Sequence, residues 1–147
     1  MNVRNHMKLS FDSISPNEGF SRAAISAFIL PLNPTVAEVA DVKTAVSEAV
    51  TNAIVHAYPD AAGTVYIDAK ITDDNRVIIR IRDTGVGIED VKQAMEPLFT
   101  TSSDERAGLG FAVMQSFSDR VRVRSTVGKG TTVTLEKIIH SAYDGEK

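Results

Sequence analysis

Two consecutive stretches of alternating apolar and polar residues constrain the fold of this chain more than any other feature. Residues 65–71 and 77–81 place an apolar side chain at every second position, and a polar Asp-Asp-Asn turn at 73–75 lies between them. This pattern is typical of a β-hairpin with one buried face. The buried face needs a covering layer, which the rest of the chain has to supply.

Two other parts of the chain add strands to this hairpin. Apolar and polar side chains also alternate in residues 7–11, which predicts a first strand. Residues 121–124 and 132–135 alternate in the same way on either side of Gly128-Lys129-Gly130, so they predict a second hairpin. Together these segments favour one mixed, mostly antiparallel sheet.

Helices are expected to cover one face of that sheet. Residues 35–58 carry apolar side chains at three- and four-residue spacing, which gathers them on one side of a helix. Asn33 followed by Pro34 suits the start of this helix. Three further segments are expected before the last hairpin: a helix at 90–95, a loop at 97–108 and a helix at 109–117.

A separate helix is expected between the first strand and Pro31. Ser15 and Glu18 stand three residues apart and suit a capping box, with Pro16 at the first helical position. The apolar residues of this segment recur at helical spacing. They form one stripe that we expect to be buried: Phe20, Ala23, Ala24, Ala27 and Phe28.

The order of elements predicts an α/β protein, a two-layer sandwich with helices on one face of the sheet. A length of 147 residues fits a single domain, 1–147, with a core over about residues 7–137 and frayed ends. The net charge of −3 argues against a nucleic-acid partner, and no apolar run approaches the roughly 18–20 residues of a membrane span. Cysteine is absent, which excludes disulfides and thiolate chemistry, and the cytoplasm is the expected compartment.

Glu48, Asn52 and His56 follow one another at four-residue spacing, so they stack along one side of the long helix. Asparagine is mildly unfavourable inside a helix, but its side-chain oxygen is a suitable ligand for Mg²⁺. Glu48, one turn earlier, can accept a proton from an attacking hydroxyl group or water. An exposed polar face without any role explains the same residues when they are taken alone.

A segment with two glycines follows the strand at 77–81. It reads Asp83-Thr84-Gly85-Val86-Gly87, and its glycines allow the backbone to approach a flat or charged ligand closely. Asp83, at the end of the strand, can accept a hydrogen bond from an amine such as the adenine N6 group. A tight turn with aspartate as the turn-forming residue is the alternative.

Two later segments also combine glycine with polar residues. The loop at 97–108 leads through Gly108-Leu109-Gly110 into a helix, whose free backbone amides suit phosphate groups. Arg106 can add positive charge at a γ-phosphate, and the glycines suit a hinged lid. Gly128-Lys129-Gly130-Thr131-Thr132 precedes the last strand. A surface loop and a hairpin turn, respectively, are the alternatives.

These four segments occur in a set order: a Glu/Asn helix, Asp-x-Gly-x-Gly, Gly-x-Gly and Gly-Thr. That order resembles the ATPase superfamily shared by gyrase, heat-shock protein 90, histidine kinases and MutL, whose α/β sandwich is the Bergerat-type fold. Within it, residues 47–56, 83–88 and 97–101 look like the anti-sigma factors of spore-forming bacteria, and the likeness extends over about residues 7–137. The chain looks most like the kinase that controls the first forespore sigma factor, with the stress-response kinase second.

The resemblance implies a role for each matching residue. Glu48 is the expected general base and Asn52 the expected Mg²⁺ ligand, while Asp83 and Thr131 are expected at the adenine. The other expected nucleotide contacts are Gly85 and Gly87 in the pocket wall, Gly108 and Gly110 at the phosphates, Arg106 as a lid charge, and Thr100 and Thr101. At the position of His56 the family often has a basic or imidazole group, and a histidine that merely ends the helix is the alternative.

By the same resemblance, the chain is expected to bind ATP or ADP with Mg²⁺ and to transfer the γ-phosphoryl group to a serine. The expected acceptor is an anti-anti-sigma protein, and the second expected partner is a sigma factor held inactive. A homodimer is expected, with the first strand and first helix as its interface and Arg22 as a candidate contact to the sigma factor. A detached histidine-kinase domain and a non-enzymatic binding module are the rival interpretations. The first requires a phosphoacceptor histidine on a helical hairpin, which no segment provides.

Overall fold

The structure is a computed structural model that describes residues 2–96 and 105–140, with the side chains of residues 105–109 outside the description. The described strands are β1 (Val3–Asp12), β2 (Thr64–Thr72), β3 (Arg76–Asp83), β4 (Arg120–Thr126) and β5 (Gly130–Ile138). The α-helices are α1 (Pro16–Ile29), α2 (Val36–Asn52), α3 (Val91–Ala94) and α4 (Glu105–Ser116). A 3₁₀ turn, Leu30–Leu32, follows α1, and a π-helical turn, Ala53–Ala57, continues α2.

The described strands form one antiparallel sheet in the order β1-β2-β3-β5-β4. On its inner face Ile67 lies opposite Leu9 and Ile81, and Ile81 lies opposite Val133. A shift of one residue would turn each of these side chains to the other face, so their burial specifies the register. The prediction of a two-layer α/β sandwich with helices on one face is confirmed.

Helices α1, α2 and α4 cover the inner face of the sheet and form the hydrophobic core with it. Ile25 and Ile29 of α1, Val46 and Val50 of α2, and Met114 of α4 are fully buried. Burying each such side chain contributes roughly 1.5–3 kcal/mol of hydrophobic stabilisation. Within the described part of the chain, no helix packs on the opposite face of the sheet.

Helix α1 buries a different stripe from the expected one. Ser21, Ile25 and Ile29, four residues apart, face the core and are fully buried. Ser21 tolerates burial because its hydroxyl donates a hydrogen bond to the Glu18 carbonyl at 2.6 Å. The helix has two apolar sides, and the branched isoleucines fill the core better than the alanines do. Of the expected stripe, Phe28 packs against the core, but three members are exposed: Phe20, Ala23 and Ala27.

The helix caps also differ from the expected ones. Ser15 has helical backbone angles and makes no side-chain cap, so the capping box predicted for α1 is wrong. The cap of α2 is Thr35 and not Asn33, which adopts a left-handed conformation with a φ of 53°. Thr35 and Glu38 form a reciprocal capping box with hydrogen bonds of 2.9 and 3.1 Å.

The long helix expected over residues 35–58 changes character before its end. It is α-helical as far as Asn52 and then widens into the π turn Ala53–Ala57. A π turn inside a helix is rare and is frequently found at functional sites. The change from α-helix to π turn occurs directly after Asn52, one of the predicted site residues.

Helix α4 begins at Glu105, four residues before its expected start at 109. Gly108 and Gly110 therefore lie within the helix, and the predicted loop over 97–108 is wrong for its last four residues. None of the helices in residues 2–96 and 105–140 is both long enough and apolar enough to cross a membrane.

Candidate functional site

A cavity of about 840 Å³ opens between α2, the loop that follows β3 and the start of β5. Its apolar lining includes residues from the helices, the π turn and the sheet: Ala49, Ala53, Ala57, Ile81, Phe111 and Val133. Its polar lining includes Asn52, His56, Asp83, Asp90, Gln93 and Thr131. A concave site with mainly apolar walls and a few polar groups is the usual form of a small-molecule site.

Asp83 ends β3 beside this cavity and is only 8% exposed. Its Oδ1 atom accepts hydrogen bonds from the backbone amides of Gly85 at 3.0 Å and Thr131 at 3.2 Å. Burial raises the pKa of the Asp83 carboxyl above its usual value, and the two amide hydrogen bonds partly oppose this shift. Among the described residues none donates to Oδ2, so one acceptor oxygen is left for a ligand amine.

Gly85 and Gly87 allow close contacts with the protein's own backbone. A Cβ atom at Gly85 would lie 2.1 Å from the carbonyl oxygen of Ala57. At Gly87, whose φ is 78°, a Cβ atom would lie 2.4 Å from the carbonyl oxygen of Thr126. Backbone of the protein therefore fills the space that a side chain would take at both glycines, and their predicted role in the pocket wall stays a prediction. Gly87 nevertheless lines the cavity.

The π turn holds the loop after β3 against the end of the long helix. The carbonyl of Ala57, the last residue of the turn, accepts a hydrogen bond from the amide of Val86 at 2.9 Å. Carbonyls at the end of a helix have no partner within the helix, so this one is available to the loop. The local widening of the helix therefore supports one wall of the cavity.

Tyr58, directly after the π turn, also holds the loop after β3 in place through hydrogen bonds. Its hydroxyl accepts a hydrogen bond from the amide of Thr84 at 2.8 Å and donates one to the carbonyl of Thr64 at 2.6 Å. The Asp83–Gly87 segment is thus tied both to the helix and to the start of β2. Tyr58 positions the segment without lining the cavity itself.

Ser125 joins the loop to the β4–β5 hairpin. Its Oγ accepts a hydrogen bond from the amide of Ile88 at 2.7 Å and donates one to the carbonyl of Gly130 at 3.0 Å. It also lies 2.8 Å from the hydroxyl of Thr131. Thr131 is therefore held through both its amide and its hydroxyl, which orients it at the cavity.

Glu48, Asn52 and Gly110 meet where α2 packs against α4. A Cβ atom at Gly110 would lie 3.4 Å from Glu48 Oε2 and from both Oδ1 and Nδ2 of Asn52. The Nδ2 atom of Asn52 is buried and has no hydrogen-bond partner among the described residues. A buried polar group without a partner costs roughly 1–3 kcal/mol, so this one calls for an explanation. Asn52 also lines the cavity.

Several predicted site residues lie at one place in the structure. Asn52, Asp83, Gly87 and Thr131 line the cavity, and Glu48 adjoins Asn52 beside Gly110. The other predicted residues are placed less fully: Gly85 packs on the π turn, Arg106 and Gly108 lie in α4 at positions whose side chains are not described, and Thr100 and Thr101 lie outside the described residues. The functional role of each residue stays a prediction.

Sequence reasoning missed Tyr58 and Ser125. The hydrogen-bond partners of Tyr58 lie 6 and 26 residues away in sequence, and Ile88 lies 37 residues from Ser125. Tyr58 also stands directly before Pro59, where a helix-stop signal accounts for it without any further role.

Four polar groups at or beside the cavity come from two elements. Asp83 and Thr131 belong to the sheet and offer an acceptor oxygen and a hydroxyl. Asn52 lines the cavity and Glu48 adjoins Asn52 without lining it; both belong to α2 and offer an amide and a carboxylate. Such a site suits a flat ring that carries an amine and a charged group. No cluster of three or more His, Cys, Asp or Glu side chains in residues 2–96 and 105–140 has the arrangement of a metal site. A cation here would need further ligands from a bound anion or from water.

Comparison with known proteins agrees with this chemistry. Residues 21–137 match the family described as the histidine kinase-like ATPase domain. Over 140 residues the chain is 54% identical to the anti-sigma F factor of Caldanaerobacter subterraneus subsp. tengcongensis. The aligned region covers 95% of this chain and 97% of the relative. Over 142 residues it is 51% identical to the anti-sigma F factor of a Thermoanaerobacter species, and this alignment covers 96% of this chain and 99% of the relative.

A solved structure shows the same fold. The RsbU and RsbW domains of a Mycobacterium tuberculosis protein match with a TM-score of 0.68 at 20% identity, over 92% of this chain and 32% of the other. At this identity the match speaks for the fold alone. The family match and the two relatives cover most of the sequence. The chain therefore belongs to the histidine kinase-like ATPase domain family and, within it, to the anti-sigma F factors.

Proposed function

We propose that this chain is an anti-sigma factor and a protein serine kinase, which transfers the γ-phosphoryl group of ATP to a serine of an anti-anti-sigma protein. Membership of an ATPase domain family implies nucleotide binding, and the anti-sigma F relatives support the regulatory role. The observation that carries the proposal is the pairing of Glu48 and Asn52 beside Gly110, next to a cavity that Asp83 and Thr131 also line.

Asp83 and Thr131 are the proposed adenine contacts. The unused Oδ2 atom of Asp83 would accept a hydrogen bond from the adenine amine, and Thr131 would contact the ring or a water bound to it. A carboxylate in this position favours adenine over guanine, because guanine presents an oxygen acceptor where adenine presents its amine. The apolar side chains around the cavity would contact the faces of the purine.

Asn52 is the proposed ligand of Mg²⁺. Its Oδ1 atom is a hard oxygen donor of the type that Mg²⁺ takes, and the unpartnered Nδ2 atom is free to donate to a phosphate oxygen. Bound Mg²⁺ would neutralise phosphate charge during transfer. Gly108 and Gly110 are the proposed contacts to the phosphates, and Arg106 is a proposed lid charge. Thr100 and Thr101 are further proposed nucleotide contacts.

Glu48 is the proposed general base. It would accept the proton of the serine hydroxyl while the serine oxygen bonds to the γ-phosphorus. The bond between that phosphorus and the β–γ bridging oxygen breaks, and ADP leaves. Glycine at 110 keeps the space beside Glu48 and Asn52 open, since a Cβ atom there would lie 3.4 Å from both.

A homodimer through β1 and α1 is part of the proposal. β1 is an edge strand of the sheet, and unpaired strand edges readily pair with another chain. Phe20 and Leu30 are 52% and 58% exposed, and the ring of Phe20 packs edge-on against Phe11 of β1. The sigma factor is the other proposed partner, with Arg22 of α1 as a proposed contact.

We expect Glu48→Gln to abolish phosphoryl transfer while nucleotide binding survives. The amide keeps the size of the side chain but cannot accept the serine proton, a loss of about 10²–10⁴-fold in rate. Radiolabelled ATP, with and without the anti-anti-sigma protein, measures the transfer, and calorimetry measures nucleotide binding. Transfer at the wild-type rate would refute the role of Glu48, and label on a histidine of this chain itself would refute the serine kinase.

We expect Asn52→Ala to weaken Mg·ATP binding more than Mg-free ATP binding. Loss of a contact to a charged ligand is worth roughly 1.5–3 kcal/mol, which is about 10- to 100-fold in affinity. Titration calorimetry with Mg²⁺ and with EDTA measures the difference. The melting temperature of the ligand-free variant should not fall, because Nδ2 has no partner to lose. An equal loss under both conditions would mean that Asn52 does not serve the metal.

We expect Asp83→Asn to weaken ATP binding at least about tenfold, because the amide can direct its NH₂ group at the adenine amine. The pKa of Asp83 is higher in the folded protein than its unfolded value of 3.8. The ionised carboxyl therefore lowers the stability of the folded protein at a pH above the folded pKa, and this loss disappears as the pH falls below 3.8. The ligand-free variant should therefore melt higher than the wild type at neutral pH, and the difference should shrink toward acid. Thermal melts across this pH range provide the measurement, and a constant difference would contradict the assignment.

We expect Tyr58→Phe to raise the KM for ATP and leave kcat unchanged. Tyr58 positions the Asp83–Gly87 segment, which carries the proposed adenine contact, and not the residues proposed at the phosphates. Each lost hydrogen bond is worth roughly 1 kcal/mol, and hydrogen exchange at the Thr84 amide should accelerate. Tyr66→Phe is the matched control, because no hydrogen bond of the Tyr66 hydroxyl is found among the described residues. A fall in kcat with unchanged KM would show that Tyr58 acts elsewhere.

A further inference from the structure

The face of the sheet opposite the helices carries a concentrated positive charge. Strand pairing places fifteen outward side chains of this open face in three rows across the five strands. The rows are Ser10-Tyr66-Arg82-Thr132-Arg124, Lys8-Asp68-Arg80-Thr134-Arg122 and His6-Lys70-Ile78-Glu136-Arg120. Seven of these side chains are lysine or arginine and two are acidic, so the open face has a net charge of +5 in a chain whose net charge is −3.

The arginines of the open face are arranged regularly. Arg80 and Arg122 flank Thr134 of β5, and Arg82 and Arg124 flank Thr132 in the next row. The two arginine-bearing strands, β3 and β4, are two strand spacings apart, roughly 9–10 Å, and the rows are about 7 Å apart. Four arginine positions of β3 and β4 therefore flank two threonines of β5, with the Arg82 guanidinium turned over the Tyr66 ring of β2.

These arginines lack carboxylate partners within the described part of the chain. The two acidic residues of the face are engaged elsewhere: Asp68 binds His6 at 3.0 Å, and Glu136 binds Arg76 at 2.9 Å. Arg82 lies over the ring of Tyr66, 4.1 Å from its centre, which holds its position without neutralising its charge. Exposed like charges at this spacing repel one another, so the arrangement gains nothing for the fold itself.

We propose that the open face is a docking surface for an acidic segment of a protein partner, whose carboxylates lie between the arginines of β3 and β4. Arginine binds carboxylates through two parallel hydrogen bonds, which gives such a surface specificity as well as charge. Because the surface lies across the sheet from the helix layer and its cavity, docking there leaves the nucleotide site accessible. The inference goes beyond the proposed kinase reaction and does not depend on it.

Charge pattern favours a protein over a nucleic acid as the partner. A continuous phosphate backbone would meet the carboxylates of Asp68 and Glu136 within the same face, whereas a folded acidic segment can place its charges to avoid them.

Charge reversal on β4 tests this surface in the full chain. The probe is a fluorescein-labelled peptide of alternating glutamate and alanine, and single-stranded oligothymidylate of equal charge is the comparison. We expect the peptide to bind the wild type more tightly than the oligonucleotide does. Arg122→Glu combined with Arg124→Glu should weaken peptide binding at least about tenfold. Lys43→Glu, on the helix layer, reverses one charge away from the open face and should leave binding unchanged.

Three results would overturn the proposal: no peptide binding to the wild type at low salt, equal binding by the double variant, or tighter binding of the oligonucleotide. Thermal unfolding checks that the double variant is folded. If it is not, Arg122→Gln combined with Arg124→Gln removes the charge without reversing it and should still weaken peptide binding in fluorescence anisotropy.

Discussion

The carboxylate of Asp83 connects parts of the molecule that are far apart in sequence. Its Oδ1 atom holds the amides of Gly85 and Thr131, and the Thr131 hydroxyl contacts Ser125, which binds the amide of Ile88. The loop after β3 and the β4–β5 hairpin are thus joined by one chain of hydrogen bonds around a buried acid. Burial raises the pKa of this carboxyl, because an ionised group loses its hydration when it leaves water. These directional bonds favour one geometry of the cavity wall.

The sheet could be predicted well from the sequence because its signal is local. Alternation in residues 65–71 and 77–81 specifies both the strands and the face that each side chain takes. The buried side of helix α1 was harder to predict, because Phe20 and Ile25 lie on different sides of the helix and both are apolar. Which side faces the core depends on how the helix sits on the sheet, and helical periodicity contains no information about that.

The candidate site also has a part that could be predicted from local spacing and a part that depends on contacts between distant segments. Four-residue spacing places Glu48 and Asn52 on one side of α2, and the structure adds that Gly110 of α4 lies against both. The role of Gly85 and Tyr58 could not be read from spacing, because their contacts come from chain segments that only folding brings near. The charge of the open face required strand pairing too. Alternating arginines are visible in the sequence, but the rows across β3, β5 and β4 are not.

The unpartnered amide of Asn52 has a consequence for the lifetime of the protein in a cell. In the proposed kinase a bound nucleotide would satisfy this amide, so the ligand-free fold would be less stable than the same fold with the nucleotide bound. A ligand at 100 times its dissociation constant adds about 2.7 kcal/mol to the stability of the folded state. Unfolded molecules are the ones that proteases degrade. The abundance of this chain would then rise and fall with the supply of whatever fills its cavity, even where no partner is present.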